Sequence, residues 1–360
     1  MIETLELLSA LGDGLITRSS LRGAGLNADR IAQCLQQRLL RRVRPGVYVQ
    51  ERLWLTLWPE QRHRLLVRAT LLVAQRTWVV SHLSAAAMHG LPTFGAWPTT
   101  VHVSVADARG GASSGHITTH RGAPVAETVV LDGILVTSLA RTLSDVAASE
   151  PLSRSVPVLD AGFRAERVNA GDAAGARGVS RRSAPMRTVQ ANAEDGVREQ
   201  VNAELERVAP RRGRRQAQFA IAFASGLAES VGESLTRVRF HEQGFEIPEL
   251  QVTFARSDGG EADVDYFWRG IRKAGEFDGK FKYTRGAIVK PGQDPGEIVF
   301  HEKKREDAVR PQLHSMTRWV WDVVRPPLVF LRFTSEAGVP RAAPLRGRKS
   351  AGAPGGNGAA

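Results

Sequence analysis

Acidic residues and lysines are concentrated between residues 226 and 335, and these side chains are the best candidates in the chain for metal binding and acid–base catalysis. The segment holds 17 acidic and 17 basic residues, and six of the seven lysines of the chain lie between Lys273 and Lys304. Elsewhere the basic residues are almost all arginine. Because lysine is a compact charge whose pKa shifts on burial, this local return to lysine indicates either a chemical site or a solvated lysine face.

The spacing of these residues predicts which of them lie together. With the two-residue period of a strand, Glu276 and Asp278 share a face, which Lys280 joins if the strand continues, and Asp263 lies with Asp265. Carboxylates on paired strands can surround Mg²⁺, which prefers oxygen ligands, and a nearby lysine would offset charge on a phosphate. The alternative is a solvent-facing hairpin. The candidate metal ligands are Glu233, Asp265 and Glu276, and the catalytic candidates are Glu233, Asp265, Glu276, Asp278, Lys280 and Lys303.

A helix and three strands must position these side chains. The apolar pattern predicts a helix over residues 235–243 and strands over residues 250–255, 262–268 and 271–278. The short connection Arg269-Gly270 predicts that the last two strands form an antiparallel hairpin.

Glu233, Asp265 and the run Glu276-Phe277-Asp278-Gly279-Lys280 resemble the PD-(D/E)XK nuclease superfamily, in the branch of the very-short-patch-repair endonucleases. The resemblance implies a restriction-endonuclease-like α/β core and Mg²⁺-dependent cleavage of DNA. Val264 stands where the name-giving proline would be. Residues 302–321 also resemble that branch. In the branch this region forms a helix followed by a strand, and we expect the strand to end here at residues 328–333.

Two registers of this motif remain open. If Glu276 is the second acid, the motif ends in Glu-x-Asp-Gly, and Lys280 or Lys303 supplies the positive charge from another position. If Asp278 is the second acid, Lys280 completes the pattern formally. We favour the first register, and loss of activity is also known in the superfamily.

The first 50 residues predict a winged helix-turn-helix. An apolar stripe from Ile2 to Leu11 predicts a first helix, Thr17 can cap a short second one, and Asn27 can cap a third. The alternation of residues 42–49 around Pro45-Gly46 predicts a β-hairpin. The third helix would enter the major groove of DNA, and the hairpin would form the wing. A helical domain for protein contact is the alternative.

Candidate DNA-binding residues lie on this third helix and on the wing. Gln33 and Gln37 could contact base edges, and Arg30 and Arg38 could bind guanine or phosphate. The wing would hold phosphates. The full set is Arg30, Gln33, Gln37, Arg38, Arg41, Arg42 and Arg44.

Four stretches within the first 150 residues resemble the AbiEi antitoxins of type IV toxin–antitoxin systems. They are Gly14-Leu15-Ile16-Thr17, Arg44-Pro45-Gly46-Val47-Tyr48, Ser81-His82-Leu83-Ser84-Ala85-Ala86 and Thr137-Ser138-Leu139-Ala140-Arg141-Thr142-Leu143. The resemblance implies a winged helix that binds the protein's own promoter and a second domain that opposes a nucleotidyltransferase toxin.

The remaining segments complete a multidomain α/β prediction. Residues 51–150 predict a mixed α/β domain, in which we interpret His82 and His89 as packed or exposed side chains. Residues 151–225, rich in Gly, Ala, Ser and Arg, predict a basic flexible linker, within which residues 194–208 could form a helix. Residues 226–335 form the nuclease-like domain, and residues 336–360 predict a disordered tail.

The charge of the whole chain favours nucleic acid as the partner. There are 49 basic and 37 acidic residues, with a formal charge of +12. The excess lies in residues 1–50 and 151–225 and in the tail, whereas residues 226–335 are neutral. The absence of a long apolar run and of a signal-like start, with Cys34 as the single cysteine, predicts a cytoplasmic, nucleoid-associated protein.

Three functions follow from these patterns. The first is a DNA-binding regulator of the antitoxin type, which would bind double-stranded DNA and a nucleotidyltransferase-type toxin. The second is an active Mg²⁺-dependent endonuclease that the winged helix targets to DNA. The third is a scaffold for protein contact without a role on DNA.

Overall fold

The computed structural model divides the chain into two compact units, Met1–Val238 and Arg239–Ala360. The structure describes residues 1–74, 77–105, 112–121, 128–177, 179–180, 183–208, 213–256, 259–279 and 309–343, with only the backbone for residues 112–114 and 208. These residues form an α/β protein with thirteen α-helices and three sheets. The α/β class predicted from the sequence is therefore confirmed.

The first 50 residues follow the predicted order of elements. The elements are α1 (Ile2–Leu11), β1 (Ile16–Thr17), α2 (Arg18–Gly23), α3 (Ala28–Gln36), β2 (Leu40–Arg44) and β3 (Val47–Gln50). Thr17 caps α2 by accepting from the Ser20 amide at 3.0 Å, and Asn27 caps α3 by accepting from the Arg30 amide at 2.9 Å. The strands form an antiparallel sheet in the order β1-β3-β2, over a core that includes Leu21 and Ile31.

A mixed six-stranded sheet follows, within residues 51–150, for which the sequence predicts a mixed α/β domain. Its strands are β4 (Val79–Val80), β5 (Val101–Val105), β6 (Ala112–Ser114), β7 (Ile117–Arg121), β8 (Thr128–Leu131) and β9 (Ile134–Thr137), in the order β6-β7-β5-β4-β9-β8. The helices of this segment are α4 (Glu51–Thr56), α5 (Pro59–Val73), α6 (His82–Met88) and α7 (Leu139–Ser149). The residues of α6 are all buried, which explains their small size.

The prediction of a flexible linker over residues 151–225 is wrong. This stretch contains α8 (Leu152–Ala176), α9 (Ala184–Val208) and α10 (Arg214–Phe223). Apolar residues spaced by four, such as Val197, Val201 and Leu205 on α9, pack into a core shared with α7. The abundant Ala and Gly allow close helix contact: a Cβ at Gly162 would lie 2.8 Å from the Leu143 side chain. Small residues here serve helix packing, and the composition conceals the helical period.

The boundary between the two units falls inside α11 (Val231–Glu242), later than the predicted boundary at 225/226. The second unit holds a four-stranded mixed sheet in the order β10-β11-β12-β13. Its elements are β10 (Glu249–Ala255), β11 (Glu261–Trp268), β12 (Lys273–Phe277), β13 (Ser315–Trp319), α12 (Trp321–Val324) and α13 (Pro327–Glu336). The predicted antiparallel hairpin of β11 and β12 is present, and β13 lies parallel to β12.

Two predictions for the end of the chain are corrected. Residues 328–333 form part of helix α13 rather than a strand, because Pro327 opens a helix whose Phe330 is fully buried. The predicted disordered tail begins too early at 336. Phe245 pairs with Arg341 in an isolated β-bridge, and the Arg341 guanidinium lies 4.0 Å from the centroid of the Phe245 ring. Residues 344–360 lie outside the described part of the chain.

Candidate functional site

Six of the seven candidate DNA-binding residues are exposed in the structure, and we call this set the basic face. It consists of Arg30, Gln33, Gln37, Arg38, Arg41 and Arg42. Arg30 and Gln33 lie on α3 and are linked by a hydrogen bond of 3.2 Å from the guanidinium to the amide oxygen. Gln37 caps the C-terminus of α3, and Arg38 follows with a positive φ of 55°. The face therefore comprises residues of α3, the residues just after it and residues of β2.

The arginines of the basic face differ in how far their charge is neutralised. Arg41 forms a bidentate ion pair with Glu51, with distances of 2.9 and 2.6 Å, and this contact raises the pKa of Arg41. Arg42 is exposed and makes no hydrogen bond or ion pair within the described residues. Arg42 therefore offers its full charge to a partner, whereas Arg41 must first leave Glu51.

Arg44 does not belong to this face, and its predicted role on the wing is corrected. Its side chain is only 5% exposed, and it donates to Thr70 Oγ1 at 2.7 Å and to the Val43 carbonyl at 2.8 Å. Burial lowers the pKa of Arg44. The guanidinium holds β2 against α5 and cannot also bind a phosphate on the protein surface.

In the second unit, the predicted carboxylates gather on β11 and β12. Tyr266 pairs with Gly275 in the antiparallel register of β11 and β12. Continued by one residue on each strand, this register places Asp265 opposite Glu276. We call these two residues the carboxylate pair. Asp265 accepts from the Phe277 amide at 2.9 Å and from the Gln251 side chain at 3.3 Å. Asp263 accepts from the Thr253 hydroxyl at 2.6 Å.

Glu276 is held by an arginine from the neighbouring strand. Arg318 lies beside it in the parallel register of β13, and the two side chains form an ion pair of 2.6 Å. This pairing could not be predicted from local patterns, because Glu276 and Arg318 are far apart in the sequence. Asp278 follows the end of β12, and its backbone amide donates to the Trp319 carbonyl at 2.8 Å.

The lysines of this segment are only partly described. Lys273 is buried, donates to Ser315 Oγ at 3.2 Å, and has its pKa lowered by burial. Lys280 and Lys303, the two predicted catalytic lysines, lie outside the described residues. The structure therefore leaves both registers of the motif open.

Glu233 acts as a capping residue of α11. Its carboxylate accepts from the Glu229 amide at 2.7 Å and from the Ser230 hydroxyl at 2.8 Å, while the Glu233 amide donates back to Ser230 Oγ. This reciprocal arrangement satisfies donors at the start of the helix. Within the described ranges, no three or more His, Cys, Asp or Glu side chains are grouped so that they could hold a metal ion. A magnesium site that includes Asp265 and Glu276 stays a prediction, because residues 280–308 lie outside the described part of the chain.

Sequence reasoning missed a cluster of buried histidines in the first unit. His82 stacks on His120 with ring centroids 3.6 Å apart, and His120 Nε2 lies 3.3 Å from His102 Nδ1. Asp145 Oδ2 lies 3.7 Å from His82 Nδ1. Burial lowers the pKa of His82, and it lowers that of His102 to about 3. The residues come from four separate elements, so no local pattern could have indicated the cluster.

Comparison with family models and with curated proteins identifies no relative of this chain. None of the helices in the described part of the chain is long and apolar enough to cross a membrane.

Proposed function

We propose that the chain binds double-stranded DNA through a winged helix formed by residues 1–50, as a transcriptional regulator of the AbiEi antitoxin type. The observation that carries this proposal is the exposure of the basic face, which comprises polar residues of α3, Arg38 just after it and two arginines of β2, Arg41 and Arg42. The order helix, strand, helix, helix and hairpin is that of a winged helix, in which the third helix lies in the major groove.

In this proposal the residues of the basic face divide into two roles. Gln33 and Gln37 are of the type that contacts adenine through two hydrogen bonds, and Arg30 and Arg38 can contact guanine. Arg42 binds phosphate, which positions the protein without specifying a sequence. Arg44 has no direct role, because it is buried in the protein.

The antitoxin part of the proposal rests on the resemblance of four sequence stretches to AbiEi proteins. In such a protein the winged helix represses its own promoter, and another region opposes a nucleotidyltransferase-type toxin. Co-expression with a nucleotidyltransferase encoded next to this chain tests that part. Rescue of growth supports it, and continued toxicity with an intact, folded chain contradicts it.

The DNA-binding proposal is tested by fluorescence anisotropy with labelled duplexes at two or more salt concentrations. We expect salt-sensitive binding by the full chain, because each released counterion contributes to the slope of log K against log salt. Arg30→Ala and Gln33→Ala should weaken binding to the preferred duplex by about ten-fold, the cost of one base contact. The control is Arg332→Ala, which removes an equally exposed arginine from α13. A full chain that binds no duplex at low salt overturns the proposal and favours a scaffold for protein contact.

A second candidate function is DNA cleavage by the second unit, and the opposed carboxylate pair is the observation that favours it. In a nuclease, Asp265 and Glu276 would hold Mg²⁺, and Mg²⁺ would stabilise charge on the phosphate. Asp265→Asn and Glu276→Gln should then abolish cleavage of duplex DNA while leaving binding intact. The absence of cleavage with either Mg²⁺ or Mn²⁺ contradicts this candidate.

A further inference from the structure

A cavity of about 660 Å³ lies in the first unit, next to strand β2. One wall is formed by β2 and another by α5, while the loop at residues 95–99 contributes a third. The volume is in the range of sites that hold drug-sized ligands and cofactors. The cavity belongs neither to the carboxylate pair nor to the exposed side of α3.

The lining of this cavity is strongly basic. It contains Arg41, Arg42, Arg44 and Arg62, and none of the described lining residues is Asp or Glu. Within the described residues, Arg42, Arg44 and Arg62 form no ion pair: Arg62 donates to the Trp54 carbonyl at 2.9 Å, and Arg44 donates to neutral oxygens. The nearby carboxylate, Glu51, is already engaged with Arg41. The cavity therefore carries excess positive charge and favours an anion, for which a guanidinium offers two parallel hydrogen bonds.

The same lining contains flat aromatic rings. Trp54 lies beneath two guanidiniums, with Arg41 at 5.4 Å and Arg62 at 5.5 Å from the ring centroid. Trp97 is half-buried and stacks on His63 with centroids 5.3 Å apart and an interplanar angle of 21°. Burial lowers the pKa of His63 to about 4, so this ring is neutral at physiological pH. Aromatic side chains of this kind are platforms on which nucleobases stack.

We propose that this cavity binds a nucleotide unit, with the nucleobase stacked on Trp97 and the phosphate held by Arg42 and Arg62. A bare phosphate would leave the aromatic lining without a partner, and an uncharged aromatic molecule would leave the guanidiniums unpaired. A nucleotide satisfies both. The unit could be a free nucleotide or the end of an unpaired strand, since the two share a base and a phosphate.

The test is isothermal titration calorimetry on the full chain with four probes. They are the ribonucleoside 5′-monophosphates, the corresponding nucleosides, inorganic phosphate and an unlabelled deoxythymidine tetranucleotide. We expect the nucleotide to bind at least ten-fold more tightly than either the nucleoside or inorganic phosphate. Tighter binding of the tetranucleotide than of the monophosphate identifies an unpaired strand as the source, and the reverse identifies a free nucleotide. Both results support the site.

Matched variants locate the binding. Trp97→Ala and Arg62→Ala should each weaken nucleotide binding about ten-fold, whereas Trp97→Phe keeps a stacking ring and should lose less. Trp58→Ala and Arg332→Ala remove a comparable ring and charge from exposed positions outside the lining and should change affinity less than two-fold. Inorganic phosphate that binds as tightly as the nucleotide, nucleotide affinity unchanged in Trp97→Ala, or no nucleotide binding at millimolar concentration each overturn the proposal.

The cavity shares Arg41 and Arg42 with the basic face, so the variants that separate nucleotide binding from duplex binding are those at Trp97 and Arg62. Trp97 and Arg62 are not on α3, so the variants that test the cavity leave the predicted base contacts in place. Failure of the nucleotide titration with intact duplex binding rejects the cavity alone. Intact nucleotide binding with no duplex binding rejects the DNA-binding function alone.

Discussion

The charged side chains of the basic face and those of the carboxylate pair differ in whether their charge is neutralised within the protein. On the basic face, Arg42 is exposed, and its side chain makes no hydrogen bond or ion pair within the described residues. In the carboxylate pair, Asp265 accepts from a backbone amide and Glu276 is ion-paired with Arg318. Exposed, unpaired charge is available to a partner, whereas internally bonded charge also holds the fold. Loss of activity after substitution therefore has a different meaning in the two regions.

The largest effect is expected on the pH dependence of stability, which should differ between the two units. His63, His82 and His102 are buried and neutral in the first unit, with pKa values lowered by burial, to about 4 for His63 and about 3 for His102. The unfolded chain binds protons near pH 6.5, so it gains more protons than the folded chain as the pH falls below that value. Stability is therefore fully present above pH 6.5 and is lost as the pH falls toward 4.

The loss should be on the order of 3 kcal/mol at pH 5.5, at about 1 kcal/mol for each histidine and pH unit. Burial raises the pKa of the neighbouring Asp145, which works in the opposite direction at lower pH, while Arg141 opposes that shift. Hydrogen exchange followed by mass spectrometry at pH-corrected exchange times reports the two units separately. His102→Gln should reduce the pH dependence of the first unit, and the exposed control His314→Gln should not. Equal pH dependence in both units would contradict the prediction.

The next effect concerns Asp265. Asp265→Ala leaves the Phe277 amide without its acceptor, and an unsatisfied donor of this kind costs about 2 kcal/mol. We expect faster hydrogen exchange in a peptide that spans β12 and a lower urea midpoint for the second unit. Asp265→Asn retains an acceptor oxygen and should lose less stability. If both variants are as stable as the parent chain, Asp265 does not stabilise the hairpin of β11 and β12. A role in metal binding or catalysis would then be the one left for it.

Glu276→Gln should have a smaller effect on stability, about 1 kcal/mol or less. The Arg318 side chain is 35% exposed, so water and salt weaken the ion pair that the substitution removes. The urea midpoint of Glu276→Gln and Arg318→Gln, alone and together, measures the coupling between them. A loss of several kcal/mol would show that the pair is effectively buried. If Glu276→Gln loses DNA cleavage but keeps the urea midpoint of the parent chain, the result would instead favour a chemical role for Glu276.

How much the sequence could predict depends on whether the determining contacts are local. The cap at Asn27, the turn at Pro45-Gly46 and the hairpin of β11 and β12 were predicted because each depends on neighbouring residues. The burial of Arg44 was not, because its partner Thr70 lies 26 residues away.

Most of the helical structure of residues 151–225, apart from residues 194–208, was missed for another reason. Their Gly and Ala residues resemble a linker in composition, but Gly162 is required where a Cβ would meet Leu143 at 2.8 Å. The histidine cluster depends on contacts between residues from 82 to 145, which only the folded sheet and α7 bring together.

The smallest effect on stability, and the sharpest test of the comparison, is expected for Arg42→Ala. Because Arg42 makes no ion pair or hydrogen bond among the described residues, the urea midpoint should stay unchanged. Its loss should reduce the slope of log K for duplex binding against log salt by about one, since one phosphate contact disappears.

Arg41→Ala is the matched variant, one residue away on the same strand. Its charge is already compensated by Glu51 at 2.6 Å, so the salt slope should change less than in Arg42→Ala. Arg332→Ala should leave the slope unaltered. If Arg41→Ala and Arg42→Ala reduce the slope equally, the ion pair with Glu51 does not limit the charge available to DNA. The availability of an arginine would then depend on its position on the face rather than on its internal partner.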